Sequence, residues 1–215
     1  TNIPPHNLGE LVDALVVLLD DHDADLGALM KALPGPDFPT GALILGRQGI
    51  KEAYASGRGS VIMQARAEIE VYKGEKERIV VTELPFQVNK AELIAHIADL
   101  ARAKTIQGIT DIRDESDREG IRMVIEVGRG EMPQVVLNHL YKHTAMRTSF
   151  GVIMLALVHG QPRVLNLKSI LGHFIEHRRE VVVRRTKFDL ARAEKRAHIV
   201  EGLKKALSAL ERVVR

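Results

Sequence analysis

The stretch Val61-Ile62-Met63-Gln64-Ala65-Arg66-Ala67-Glu68-Ile69-Glu70-Val71 alternates between two kinds of side chain. Apolar or small residues occupy every second position, namely Val61, Met63, Ala65, Ala67, Ile69 and Val71. Because successive side chains of a strand point to opposite faces, this period of two predicts one long strand with one polar face. Tyr72-Lys73-Gly74-Glu75-Lys76 then predicts a hairpin loop, and residues 79–82 predict the strand that returns.

Helical and strand-like segments surround this hairpin. Asn7 and Asn89 are good N-caps for amphipathic helices, and a third helix is expected near Val135, with Glu131 in its first turn. Further strands are predicted at residues 42–45, 109–112, 121–127 and 150–158. The last of these runs is nearly all apolar, so we expect it to be buried on both faces. The pattern predicts an α+β fold, with a mostly antiparallel sheet flanked by helices.

One long helix is predicted to run from the N-cap Asn166 to the end of the chain. Phe174, Val181 and Phe188 recur every seven residues, and Ile199, Leu203, Ala206, Leu210 and Val213 continue the apolar stripe. A stripe of this length is typical of a helix that packs on a coiled-coil partner. We therefore expect two parts, a domain over residues 1–166 and a coiled-coil arm helix over residues 167–215.

The composition excludes several kinds of protein. The chain has 215 residues, a net charge of +3 and no cysteine, so disulfides and thiolate zinc sites are excluded. It has no apolar run of about 18 residues and no signal peptide, so we expect a soluble cytoplasmic protein with no membrane partner. Because the chain begins at Thr1 and not at methionine, we expect it to be a piece of a longer protein.

No motif for catalysis or metal binding stands out. The chain contains no Gly-Lys-Ser or Gly-Lys-Thr for a nucleotide phosphate and no Gly-x-Ser-x-Gly for a serine nucleophile. His173 and His177 have the spacing of two zinc ligands but no third partner, and the same holds for His139 and His143. We therefore predict no catalytic residue and no metal site in this chain.

Two glycine turns carry a candidate binding site. Gly46-Arg47-Gln48-Gly49 and Gly57-Arg58-Gly59 place backbone N–H groups beside arginines, an arrangement that suits phosphate oxygens. Two ordinary turns with solvated arginines are the alternative. Residues 41–66 contain four basic residues against Glu52 alone, whereas residues 1–40 contain seven acidic residues against Lys31. The candidate phosphate-binding residues are Arg47, Lys51, Arg58 and Arg66, together with Lys90 at the N-terminus of the helix that Asn89 caps.

The C-terminal helix is also basic. Residues 167–215 contain 13 Lys and Arg against 6 Asp and Glu, whereas residues 1–166 contain 18 against 22. An excess of this kind suits a polyanionic partner, and a solvated coiled-coil exterior is the alternative.

Several strings are identified as signatures of the A subunits of bacterial type IIA DNA topoisomerases. They are Thr1-Asn2-Ile3-Pro4-Pro5-His6-Asn7-Leu8, Pro34-Gly35-Pro36-Asp37-Phe38-Pro39-Thr40, Arg113-Asp114-Glu115-Ser116, Ser149-Phe150-Gly151, His159-Gly160-Gln161-Pro162 and His177-Arg178-Arg179-Glu180-Val181-Val182. The resemblance covers essentially the whole chain in order. It is strongest to the gyrase branch of the family, with the topoisomerase IV branch second.

The resemblance implies a place within a larger enzyme. In this family the first string follows a winged-helix domain and opens the tower (shoulder) domain, which leads into a coiled-coil arm. The implied role is to support and bind the gate DNA duplex through a basic, sequence-independent surface, and to link the cleavage domain to the C-terminal gate. The five candidate phosphate-binding residues named above, chosen by charge clustering, are then the predicted DNA-binding residues. A purely mechanical module is the alternative.

The same resemblance implies the partners and the limits of this chain. The partners are double-stranded DNA, the gyrase B subunit, which binds Mg²⁺ and ATP, and a second copy of the A subunit. The family's nucleophilic tyrosine has an Arg-Tyr-Thr context that Tyr54, Tyr72 and Tyr141 lack. The chain alone is therefore expected to need no cofactor and to be inactive, although the parent enzyme is an ATP-dependent isomerase of DNA.

Overall fold

The structure is a computed structural model that describes residues 2–72 and 76–209. Its chain divides into two compact units, Thr1–Lys168 and Ser169–Arg215. Of the hairpin loop predicted at 72–76, residues 73–75 lie outside the described residues, whereas Tyr72 and Lys76 are the paired ends of two strands. Leu210 and Val213 of the predicted stripe also lie outside the described residues. Helices and antiparallel sheets together confirm the predicted α+β class.

Six helices and nine strands are present in the described part of the chain. The helices are α1 Leu8–Asp20, α2 Leu26–Ala32, α3 Gln48–Ser56, α4 Lys90–Arg102, α5 Pro133–His143 and α6 Leu167–Ser208. The strands are β1 Leu43–Leu45, β2 Arg58–Gln64, β3 Arg66–Tyr72, β4 Lys76–Glu83, β5 Ile109–Asp114, β6 Met123–Val127, β7 Arg147–Ile153, β8 Leu155–Val158 and β9 Gln161–Val164. Asn7 and Asn89 cap α1 and α4 with their side-chain oxygens, as predicted.

The predicted long strand is two strands in two different sheets, so the prediction of one strand over residues 61–71 is wrong. β2 pairs with β1 and β7 in a three-stranded sheet, in the order β1-β2-β7. β3 begins two residues later in a four-stranded sheet, in the order β3-β4-β6-β5. All of these pairings are antiparallel.

The chain passes from one sheet to the other at Ala65, which is completely buried. Its N–H donates to the carbonyl of Met146 at 2.7 Å, and its own carbonyl accepts from the Tyr141 hydroxyl at 3.0 Å. Both polar groups of this buried backbone are therefore satisfied, although the residue belongs to neither ladder.

The main core lies on one face of the four-stranded sheet, beneath α4 and α5. The strands contribute Ile79, Val81, Met123 and Ile125, and the helices contribute Leu93, Ile97, Val136, Leu137 and Leu140. Because α5 begins at Pro133, which is pre-organised for the first helical position, Glu131 precedes this helix and does not lie in its first turn.

The apolar run at residues 150–158 is divided between two sheets, so the prediction of one strand buried on both faces is wrong. β7 ends at Ile153, and β8 forms a hairpin with β9 through His159 and Gly160. Both turn residues have positive φ, at 51° and 78°, which matches a two-residue turn of type I′. Along β7, residues 147, 149, 151 and 153 are exposed, whereas Phe150 and Val152 are buried.

Helix α6 is 42 residues long and begins directly after Asn166, as the sequence predicts. Leu171 and Ile175 near its start are buried, whereas Phe188 and Leu203 are 68% and 59% exposed. Its exterior is strongly charged, with basic residues in excess.

Candidate nucleic-acid interface

Helix α3 lies directly on the backbone of β2, and glycines make this close packing possible. A Cβ at Gly49 would stand 1.8 Å from the carbonyl oxygen of Ser60, and a Cβ at Gly59 would stand 2.5 Å from the carbonyl oxygen of Gly49. Gly57 ends α3 with φ of 78°, in the left-handed conformation that glycine adopts most readily. The two glycine turns therefore fix the helix on the strand.

Three of the predicted DNA-binding residues lie within this packed helix or at its two ends. Arg47 is the N-cap of α3, Lys51 lies one turn further along, and Arg58 opens β2 directly after Gly57. All three are exposed. In the described ranges no carboxylate forms an ion pair with them. The nearby acid Glu52 instead accepts a hydrogen bond from Gln48 at 2.8 Å.

The buried side of α3 is held by a histidine–tyrosine pair. Tyr54 is 1% exposed, and its hydroxyl is hydrogen-bonded to Nε2 of His6 at 2.8 Å. Burial raises the pKa of Tyr54, with a smaller contribution from Glu10, and burial also lowers the pKa of His6. Both groups are therefore neutral at pH 7. This pair adds neither a positive nor a negative charge near Arg47, Lys51 and Arg58.

The two other predicted residues each form an ion pair. Arg66 opens β3 and its Nε lies 3.1 Å from the Glu83 carboxylate at the end of β4. Lys90 is the first residue of α4, and its Nζ lies 2.7 Å from the carboxylate of Asp114 at the end of β5. The structure therefore brings Arg47, Lys51 and Arg58 to one helix and its following turn, and it places Arg66 and Lys90 beside acids.

The outer face of the four-stranded sheet has balanced charges. Arg78 donates two hydrogen bonds to the Glu70 carboxylate, at 2.9 and 2.8 Å. The other pairs across this face join Arg122 to Glu70 and Glu115, and Arg113 to Asp111, Glu115 and Glu126. Because these cations are bound to carboxylates, this face offers little net charge to a polyanion.

Sequence reasoning missed one arginine beside this interface. Arg147 opens β7, directly opposite Gln64 of β2. The strand predicted at residues 150–158 leaves Arg147 outside it. The alternation that continues back from Ile153 through Gly151 and Ser149 to Arg147 is the signal that could have placed it on an exposed strand face.

Neither a metal cluster nor a membrane span occurs in the part of the chain that the structure describes. In residues 2–72 and 76–209, no group of three or more His, Asp or Glu side chains is arranged to hold a metal ion. None of the helices described there has both the length and the apolar character needed to span a bilayer.

Comparison with known proteins gives consistent matches along the whole chain. The family model for the A subunit of DNA gyrase/topoisomerase IV matches residues 1–215. The DNA gyrase A subunit of Halalkalibacterium halodurans is 56% identical over 214 residues, which is 100% of this chain and 26% of that protein. Those of Streptococcus pneumoniae and Escherichia coli K12 are 54% and 53% identical over 215 residues, all of this chain and 26% and 25% of their own lengths. The chain thus spans about a quarter of these relatives.

The packing of α3 on β2 can be tested with Gly49→Ala. The added methyl group meets the Ser60 carbonyl, so we expect the free energy of unfolding to fall by about 1–3 kcal/mol. Urea unfolding followed by tyrosine fluorescence measures this, because all three tyrosines lie in the unit 1–168. Gly27→Ala is the matched control, since its Cβ would make only an ordinary contact with Asp25. A G49A protein as stable as G27A would contradict the close packing.

The Lys90–Asp114 pair can be tested by titration. The hydrogen bond from Lys90, followed by those from Ser116, lowers the pKa of Asp114 from 3.8 to about 2. Because the pKa is lower in the folded chain, the stability that this pair contributes is present above about pH 4 and is lost as the pH falls towards 2. In Lys90→Gln we expect the carboxyl pKa of Asp114, measured by NMR, to rise towards 3.8. An unchanged pKa would show that Lys90 does not hold this carboxylate.

Proposed function

Since the chain belongs to the DNA gyrase/topoisomerase IV family of A subunits, we propose that it is the part of a DNA gyrase A subunit that supports and grips the gate DNA duplex. The duplex is bound through phosphates, without base readout, by the surface that carries Arg47, Lys51 and Arg58. The region also links the cleavage domain to the C-terminal gate as the tower domain and the ascending arm helix. The parent enzyme changes DNA topology by ATP-dependent passage of one duplex through another.

The observation that carries this proposal is a difference in pairing between the basic residues at α3 and the start of β2 and the arginines of the four-stranded sheet. Arg78, Arg113 and Arg122 are bound to carboxylates on the outer face of the four-stranded sheet. Arg47, Lys51 and Arg58 are exposed, and the described residues supply no carboxylate for them. Unpaired cations on a fixed backbone suit DNA phosphates, which supply most of the affinity in sequence-independent binding.

The remaining parts of the proposal concern the whole enzyme. Its partners are a second copy of the A subunit together with the gyrase B subunit. Mg²⁺ and ATP act on the B subunit, whereas the described residues of this chain offer no cluster that fits a metal ion. We favour gyrase over topoisomerase IV because the relatives named above are gyrase A subunits of 53–56% identity. A purely mechanical module is the alternative, and DNA binding by the isolated chain distinguishes the two.

DNA binding should depend steeply on salt. Each phosphate neutralised contributes about −0.9 to the slope of log K against log salt. The triple variant Arg47→Gln, Lys51→Gln, Arg58→Gln should therefore flatten the slope by about 2.7, as measured by fluorescence anisotropy with a labelled duplex. The control is Arg192→Gln, Lys195→Gln, Arg196→Gln on exposed α6, which removes the same charge and should change the slope much less. The opposite ranking of the two variants would place the DNA surface on α6.

The chain alone should be catalytically silent. Tyr54 and Tyr141 are buried and none of the three tyrosines has the Arg-Tyr-Thr context of the family nucleophile. Incubated with supercoiled plasmid, Mg²⁺ and ATP, the purified chain should neither nick, relax nor supercoil the DNA on an agarose gel. A covalent protein–DNA adduct after denaturation would contradict this expectation.

A further inference from the structure

The exposed face of the three-stranded sheet carries two arginines, Arg58 near one end and Arg147 near the other. The β2–β7 register places Arg58 opposite Ile153, Ser60 opposite Gly151, Ile62 opposite Ser149 and Gln64 opposite Arg147. These eight side-chain positions share one face, because residues at alternate positions of paired strands point the same way. Leu43 and Leu45 of β1 extend the face, so none of its positions holds an acidic residue.

Arg147 is held in place without being neutralised. Its Nε and one Nη donate to Oε1 of Gln64 at 2.8 and 2.5 Å, and its guanidinium lies 5.2 Å from the centre of the Tyr141 ring. A guanidinium has five N–H donors, so three remain for a ligand. Because Gln64 is a neutral amide, the positive charge of Arg147 is kept, unlike that of Arg78 or Arg113. A fixed guanidinium with its charge intact is suited to phosphate oxygens.

Three of the positions between the two arginines have small side chains, and the exposed Ile62 and Ile153 lie beside them. Ser60, Ser149 and Gly151 are small, and a Cβ at Gly151 would meet nothing within 4 Å. Arg58 and Gln64 are six residues apart on β2, which corresponds to about 20 Å at a rise of about 3.4 Å per residue. At about 3.4 Å of duplex axis per base pair, this length faces about six base pairs. A duplex can therefore approach the backbone here and reach cations at both ends.

We propose that Arg147 is a further phosphate contact for duplex DNA, which lies along the outer face of the three-stranded sheet between Arg58 and Arg147. This inference rests on the proposed function and extends its surface from Arg58 along β2 to β7. Gln64 acts as the positioning residue, since it orients Arg147 through two hydrogen bonds. Ile62 and the β1 leucines lie on one side of this polar strip.

Two variants separate the charge of Arg147 from its position. Arg147→Gln removes the cation, and Gln64→Glu keeps both hydrogen bonds but neutralises the cation with a carboxylate. Each should flatten the slope of log K against log salt by about 0.9 with a labelled duplex. Gln64→Ala keeps the charge and frees the side chain, so its slope should stay at the wild-type value while the affinity falls. Arg102→Gln is the control, because Arg102 is exposed and already paired with Asp99, and its slope should equal that of wild type.

The outcomes distinguish this inference from the proposal on which it rests. If the triple variant at Arg47, Lys51 and Arg58 flattens the slope while R147Q and Q64E do not, the DNA surface ends at α3 and the inference about Arg147 is wrong. If wild type shows no salt-dependent binding, both are wrong. Polyglutamate is the probe for an acidic protein partner, and a loss of polyglutamate binding in R147Q with DNA binding unchanged would assign Arg147 to such a partner. Urea unfolding of each variant verifies that the fold is retained.

Discussion

The structure of the domain depends on the two hydrogen bonds that satisfy the buried backbone of Ala65. At this residue one polypeptide leaves the three-stranded sheet and enters the four-stranded sheet, so neither ladder supplies a partner. An unsatisfied buried donor or acceptor costs about 1–3 kcal/mol, and the Met146 carbonyl and the Tyr141 hydroxyl remove that cost here. Burial raises the pKa of Tyr141, so this hydroxyl keeps its proton at neutral pH and remains a donor.

Tyr141 also connects the junction to the proposed DNA surface. Its hydroxyl binds the Ala65 carbonyl, and the Arg147 guanidinium lies over its ring. Met146, the other partner of Ala65, directly precedes Arg147 along the chain. The contacts that join the two sheets therefore also position an exposed cation, which explains how a surface arginine can be ordered without a carboxylate beside it.

Sequence patterns are informative where structure is local and insufficient where partners are distant. The caps at Asn7 and Asn89, the return strand and the long helix are predictable because each depends on neighbouring residues. The break at Ala65 is not, because Val61, Met63 and Ala65 stay buried and Ala67 keeps the same alternation beyond it. When a chain changes sheets without interrupting the alternation of apolar and polar residues, the sequence pattern does not show where the change occurs.

The candidate site likewise has one part that the sequence predicts and another part that it does not. Charge clustering can find Arg47, Lys51 and Arg58, which lie within one helix and its turn. It cannot show that Lys90 pairs with Asp114, 24 residues away, or that Gln64 binds Arg147, 83 residues away. Both depend on strand order and register, which the hydrophobic pattern does not specify between distant segments.

The packing of Gly49 against Gly59 has a consequence for how such a surface changes over evolutionary time. The contact is made by backbone atoms alone, so almost any side chain at either glycine displaces the helix. The neighbouring positions 47, 51 and 58 point to solvent and take no part in that contact. A change of charge at these positions therefore leaves the helix in its place, so the strength of attraction to a polyanion is adjustable without any change of architecture.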